Sequence, residues 1–331
     1  MKRTQRDSLP RRAMKLLCRL LGLVFVVMLA ATIAFQNLLG QINYVNENPG
    51  TEESTLSVLS PINLGTSQSG GQYEDIGGRG SGILNILLIG QDRREGETQA
   101  RSDSMILCTF NKETKKLTMT SFLRDLYVEI PGYHSNRINA AYAQGGMPLL
   151  NETLEHNFGL QIDGNVEVDF SQFSGIVDLL GGVEIELRQD EANVINQETG
   201  STLTGGTQLL DGTQALAYSR IRKLDADGDF SRTSRQRKVI SALLDAYKDI
   251  GLNDLVPMLS QILPMITTDM NNGQILMCAL EILPYLSKAE IVSQYIPADG
   301  TYTGQSIDGM SVLVADMDAA RQLLAESLLE N

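Results

Sequence analysis

Apolar residues in this chain fall in short runs with two different periods, and the runs alternate along most of its length. Residues 83–89 (ILNILLI) are almost wholly apolar, the pattern of a central strand covered on both faces. Residues 104–110 and 116–122 read as a hairpin closed by the polar turn at 111–114. Helical spacing predicts helices over 139–144 and 148–158, separated by Gly145-Gly146, and over 170–180, ended by Gly181-Gly182. A strand is expected at 183–187 and a short one at 217–222. Helices are expected at 233–249, 254–263, 273–286 and 316–329, with late strands at 291–296 and 311–315. Strands and helices interleave from end to end. The expectation is a layered α/β domain with a mixed central sheet, because the early hairpin is antiparallel whereas helical crossovers favour parallel neighbours.

The beginning of the chain follows another pattern. Residues 20–35 (LLGLVFVVMLAATIAF) carry neither charge nor amide, a length close to one membrane span, and Arg19 lies where its head can reach the lipid phosphates. A cleaved export signal is the alternative, with Thr32-Ile33-Ala34 as its weak cleavage site, but the run is long for that. Residues 1–19 hold seven basic side chains against Asp7. They are read as a cytoplasmic head that orients a single-pass anchor over 20–39 and places the rest outside the membrane. Residues 40–82 are rich in Gly, Ser, Thr, Asn and Gln and are expected to act as a flexible linker to a domain over 83–331. Their glycines precede a strand and lack a GK[ST] ending, which argues against a phosphate-cradling loop.

Charge sharpens this division. The chain of 331 residues carries 27 basic and 40 acidic side chains, so once the basic head is set aside the body is strongly acidic. A surface built to coat nucleic acid is excluded. Three cysteines without a CxxC pair signal neither a disulfide framework nor a zinc site, and His134 and His156 alone leave little room for histidine-based catalysis.

Arginine is where chemistry concentrates. Beyond the head there are thirteen arginines, and ten of them fall in four short segments. In an acidic body such clustering points to an anionic partner, and planar guanidinium groups suit phosphate oxygens. The first segment, IGQDRREGETQARSD, sets Asp92, Arg94, Arg101 and Asp103 between two strands, where ligands of open α/β sheets bind and where two acids could hold a divalent cation. A solvated loop with local ion pairs is the competing reading there. The second, SFLRDLYVEIPGY, puts Arg124 and Asp125 just after a strand. In the third, RINAAYAQGG, Arg137 and Asn139 open a helix. In the fourth, ALAYSRIRKLDADGDFSRTSRQRKVISALLDAY, Arg220 and Arg222 would share one face of a strand. Arg232 and Gln236 would share the inward face of the next helix, a costly placement unless an anion meets them. Arg237 and Lys238 read as ordinary solvated charges, and Arg235 stays open between that and a site role.

These segments in this order, behind a basic head, one span and a polar linker, and followed by TTDM at 267–270 and GMSVLVAD at 309–316, resemble the LytR-CpsA-Psr family of bacterial envelope proteins. The resemblance covers residues 83–331. It implies a three-layer α/β/α domain with a mixed central sheet and an extracytoplasmic, membrane-anchored phosphotransferase that moves an anionic glycopolymer from a polyprenyl-pyrophosphate carrier to a peptidoglycan hydroxyl. Carried over by position, Asp92 and Asp103 match the metal-binding acids, for Mg²⁺ or Mn²⁺, while Arg94, Arg101, Arg124, Arg220, Arg222, Arg232 and Gln236 match the pyrophosphate-binding set, with Arg137 replacing a frequent lysine. Asp103, Arg101, Arg124, Arg220 and Arg222 would carry the chemistry, and Asp103 and Asp229 are both candidates for the base. A pyrophosphatase, a non-catalytic lipid-phosphate binder and a transcriptional attenuator are the alternatives. Apolar helices over 166–180 and 238–263 would line a lipid channel or simply form core.

Overall fold

The computed structural model describes residues 37, 40–44, 82–91, 102–225, 228–248, 257, 258, 260–286 and 289–329. The predicted anchor, Asp92, Arg94, Arg101 and much of the predicted helix at 254–263 lie outside them. No helix among the described residues is long and apolar enough to cross a membrane.

Thirteen strands occur among the described residues: β1 (Asn43–Tyr44), β2 (Ile83–Gln91), β3 (Ser102–Asn111), β4 (Lys116–Phe122), β5 (Tyr127–Val128), β6 (Asn136–Arg137), β7 (Gly164–Asp169), β8 (Val183–Leu187), β9 (Gly206–Leu210), β10 (Thr267–Thr268), β11 (Glu290–Ile296), β12 (Tyr302–Ile307) and β13 (Met310–Ala315). The helices are α1 (Ile138–Phe158), α2 (Phe170–Leu179), α3 (Gln189–Thr199), α4 (Gly212–Arg220), α5 (Asp229–Lys248), α6 (Asn272–Leu286) and α7 (Met317–Leu329).

Seven strands form the central sheet in the order β1-β10-β7-β2-β3-β4-β11. Strands β2, β7, β4 and β11 run one way, and β3 runs against both of its neighbours. The apolar run ILNILLI makes β2 central because both of its faces have somewhere to go. Leu87 and Ile89 join a core with α1 and α7, whereas Leu84 and Ile86 join one with α6. Each fully buried side chain of this kind contributes about 1.5–3 kcal/mol. The mixed sheet sandwiched between helices is as expected.

A third core sits beside the sheet, where the hairpin β8-β9 packs under α2, α3, α4 and Val239 of α5. Two family-typical segments have structural roles. In TTDM, Thr268 Oγ1 donates to the Asn165 carbonyl (2.6 Å) and the Asp269 carboxylate accepts from Asn165 N (2.8 Å), locking β10 to β7. Met270 then packs so close to Gly164 that any Cβ there would lie 2.3 Å from it. In GMSVLVAD, β13 pairs with β12, and Asp316 caps α7 by accepting from Asp318 N and Ala319 N, both at 3.1 Å.

Several expectations need correction. Residues 217–220 end helix α4 rather than forming a strand. Asp211 and Gln214 make a capping box that starts that helix, so Arg220 and Arg222 do not share a strand face. Residues 166–180 are not one helix: β7 runs to Asp169, which caps α2 through a second box with Gln172. Helix α5 begins at Asp229, four residues before expected. Helix α3 and strands β9 and β12 were not anticipated. Within the expected linker, Asn43 and Tyr44 pair with Thr267 and Thr268 at the sheet edge.

Candidate functional site

The strand directions decide where polar residues gather. The carboxyl ends of β2, β7, β4 and β11 lie at one end of the sheet together with the start of β3, the place where open α/β sheets hold ligands. Asp103 is there on β3, and Arg124 and Asp125 follow the end of β4. Helix α5 brings Asp229, Arg232 and Gln236 down onto them.

The contacts form a mesh. Arg124 Nη1 donates to Asp103 Oδ1 at 2.8 Å, and its Nε is 3.6 Å from Asp229 Oδ1 and 3.9 Å from Asp125 Oδ2. Arg232 Nη2 donates to the Asp103 carbonyl (3.0 Å) and to Asp229 Oδ2 (3.1 Å). Arg222 Nη2 is 4.0 Å from Asp103 Oδ1, and Ser104 Oγ donates to Gln236 Oε1 at 3.0 Å. Arg137 stands one step away: it is 3.3 Å from Asp125 Oδ1, and its Nε and Nη2 are spent on the Ser311 carbonyl at 2.9 and 2.6 Å. Arg220 is exposed and lies 4.7 Å over the ring of Phe170, the first residue of α2. Thus Asp103, Arg124, Arg222 and Arg232 meet directly, Gln236 borders them, Arg137 joins through Asp125, and Arg220 flanks the group.

Arg232 is the unusual member. It is 2% exposed, yet its Nε and Nη1 have no hydrogen-bond partner. Burial first, and then the charges of Arg222 and Arg124, pull its guanidinium down to about 10 against the pull of Asp229 and Asp103. Arg124, although half-buried, is held above its ordinary value by Asp229, Asp103 and Asp125. Arg124 Nε and Asp229 Oδ1 are likewise buried without a hydrogen-bond partner. Arg124, Arg137, Arg222 and Arg232 outnumber Asp103, Asp125 and Asp229, so the mesh carries surplus positive charge in an acidic body. Buried donors and surplus charge together are what an anion would complete.

Among the described residues no three His, Cys, Asp or Glu side chains are grouped to hold a metal ion. Asp103 offers a half-buried carboxylate with one oxygen engaged by Arg124, which suits a hard cation only as one ligand of several.

Two further arginines of the fourth segment are buried rather than solvated, and neither joins the mesh. Arg235 Nε donates to Glu191 Oε1 at 2.8 Å and its Nη2 to Asp225, which also receives Arg188 Nη1 at 2.8 Å. Arg188 and Arg235 together drive the Asp225 carboxyl down to about 2. Arg237 is buried against Ser121 and Tyr295. Lys238 is exposed as expected. Sequence reasoning missed Phe230, which follows Asp229 and packs on Tyr295 and Tyr302 at centroid distances of 5.3 and 5.2 Å. No local pattern marks those three rings as neighbours.

Known proteins match over the same span. TagT of Bacillus subtilis, a polyisoprenyl-teichoic acid–peptidoglycan teichoic acid transferase, is 34% identical over 276 residues, 80% of this chain and 81% of its own. The regulatory protein MsrR of Staphylococcus aureus is 37% identical over 167 residues, about half of each chain. The solved structure of the family protein YwtF (TagT) with bound octaprenyl pyrophosphate lipid superposes with a TM-score of 0.58 at 28% identity, covering 75% of this chain and 91% of that one. TagT bound to LI-WTA gives 0.62 at 29% identity over 75% of this chain and 92% of the other. The model of the LytR_cpsA_psr family matches residues 62–327, and the chain belongs to that family.

Proposed function

We propose that this protein transfers an anionic glycopolymer from a polyprenyl-pyrophosphate carrier to a peptidoglycan hydroxyl, with the mesh at the sheet's carboxyl end binding the pyrophosphate. The observation that carries this reading is Arg232, a fully buried guanidinium with two partnerless nitrogens amid surplus positive charge. The relatedness to TagT supports the donor and the acceptor class.

In this mechanism Arg232 and Arg124 bind the two phosphates from beneath, and Arg222 and Arg220 close over them from the exposed side, Arg220 steadied on Phe170. The acceptor hydroxyl attacks the polymer-linked phosphorus, a phosphodiester forms, and the bond to the bridging oxygen breaks so that polyprenyl phosphate leaves. Preorganised guanidinium groups stabilise the charge that grows on the phosphoryl oxygens and the leaving group. Asp229 or Asp103, the two carboxylates that border the phosphate position, accepts the hydroxyl proton. Asp103 and Asp92 would hold Mg²⁺, which would supply neutralising charge to the pyrophosphate. Arg94 and Arg101 belong to the same set by position, and Arg137 sets the orientation of Asp125. Residues 20–39 anchor the chain in the membrane with the domain outside.

The test incubates the full chain with Mg²⁺, a polyprenyl-pyrophosphate glycan and a peptidoglycan oligomer, and weighs the acceptor by mass spectrometry. A gain of glycan plus one phosphate is expected, and Arg220→Ala and Arg222→Ala are expected to abolish it while leaving the fold intact. Free glycan phosphate beside an unchanged acceptor would make the protein a pyrophosphatase. Normal transfer by both variants would overturn the assigned site.

A further inference from the structure

Arg237 lies five residues beyond Arg232 on α5, about 140° around the helix, and so points away from the pyrophosphate mesh. It is 5% exposed. Its Nη1 donates to Ser121 Oγ at 2.6 Å, its guanidinium sits 5.6 Å over the ring of Tyr295, and its Nε has no partner. Ser121 and Tyr295 face each other across β4 and β11, so the cation rests on one cross-strand pair. Among the described residues no carboxylate forms an ion pair with it. Burial pulls the guanidinium down to about 10. A helix can be latched to a sheet by far cheaper means than an uncompensated cation.

Arg237 also lines a cleft of about 1110 Å³ bordered by residues of β8, α5 and β11. Ser293, which lines the cleft, and Tyr295 share a face of β11 by the two-residue period. Tyr295 meets Phe230, and Phe230 adjoins Asp229, so an aromatic strip connects the cleft to the mesh. The charged side chains lining the cleft are Glu184, Glu186 and Asp245 against Arg188, Lys238 and Arg237. Such a balance disfavours a polyanion and suits a ligand that carries both a carboxylate and amino groups, as a peptide does.

We propose that this cleft binds the acceptor, with a carboxylate of the peptidoglycan peptide on Arg237 and the attached sugar lying along the aromatic strip toward Asp229. The assignment of the peptide to an acceptor rests on the transferase reading; the carboxylate site itself stands on the geometry of Arg237. Its side chain would position the acceptor without touching the reacting phosphorus.

The experiment measures binding by calorimetry, using the full chain in detergent without donor. The probe is a soluble disaccharide-peptide fragment of peptidoglycan, once with free carboxylates and once with them amidated. Wild type is expected to bind the free acid and to lose roughly tenfold or more in affinity on amidation, the strength of a charge-assisted contact. Arg237→Met should lose the same factor on the free acid and nothing further on amidation, Arg237→Lys should recover part of it, and octaprenyl pyrophosphate should bind all three alike. Arg237→Met should melt within a few degrees of wild type, since it loses one hydrogen bond, to Ser121, and no carboxylate loses its partner. If that variant fails to fold, amidation on wild type decides alone. Equal binding of the two fragments by wild type, an amidation effect that persists in Arg237→Met, or binding of inorganic phosphate at Arg237 in place of the fragment would each overturn the proposal. Arg237-dependent binding without any transfer would leave the cleft assigned and remove the transferase reading instead.

Discussion

Arg232 and Arg235 sit one turn apart on α5 and are equally buried, at 2% and 3% exposure, yet their surroundings are opposite. Around Arg235 every nitrogen is engaged, by Glu191, the Ile221 carbonyl and Asp225, so that despite burial its charge is held above the ordinary value. Around Arg232 one nitrogen is engaged and two are not, and its charge is disfavoured. One arginine closes a network that ties α5 to α3 and to the turn after α4. Its neighbour belongs to a network left open, which on the proposed function an anion would close. Burial by itself therefore says little about an arginine, and the state of its nitrogens says more.

The sharpest way to break this contrast is Arg235→Met, which strips buried Glu191 of its 2.8 Å ion-pair partner, leaving it only Arg188, and should cost about 3–5 kcal/mol in urea unfolding. A loss under about 1 kcal/mol would mean that the network is not structural. Arg232→Met should do the reverse: kcat/KM falls roughly 100-fold, about 2.7 kcal/mol of transition-state binding, while unfolding free energy shifts by less than about 1 kcal/mol. If instead it destabilises as much as Arg235→Met, the two positions are alike and the site assignment suffers. Acid refines the comparison further. Asp225 is held at about 2, below the about 3.9 of an unfolded chain. Its contribution is therefore complete above about pH 4 and is lost as pH falls toward about 2, on the order of 1 kcal/mol once solvent screening is allowed for. Urea titrations of wild type and Asp225→Asn across that range should converge at the acid end. At the bottom of the scale, Lys238→Ala touches an exposed charge and should change unfolding free energy by less than about 0.5 kcal/mol.

What the sequence revealed and what it hid divide by range. The β2 core strand, the β3-β4 hairpin and the Gly145-Gly146 break follow from neighbours in the chain, and they stand as read; the break itself has Gly146 at φ 66. The stretch 217–222 misled because alternating Arg, Ile and Arg imitates a strand. The preceding DGTQ, a capping box, was the better guide to a helix. Arg232 and Gln236 were legible because an arginine on an apolar helix face needs a reason. Arg235 and Arg237 were not, since their partners Glu191 and Ser121 lie 44 and 116 residues away and only the fold brings them near.

The two-residue strand β1 changes how far this protein can reach. Asn43 and Tyr44 are stitched to Thr267 and Thr268, with Asn43 Nδ2 also donating to the Pro264 carbonyl at 2.9 Å and Tyr44 OH bonded to Asn272. With residues 20–39 holding the chain in a bilayer, as proposed, the leash would be residues 40–42, at most about 11 Å when fully drawn out, and not the roughly 150 Å that 40–82 would allow. Strands β1 and β2 both lie in the central sheet, so the length of chain between them adds nothing to that reach. On the proposed function, an enzyme on so short a lead would take its lipid-borne donor at the membrane surface, and the wall strand would have to come down to it.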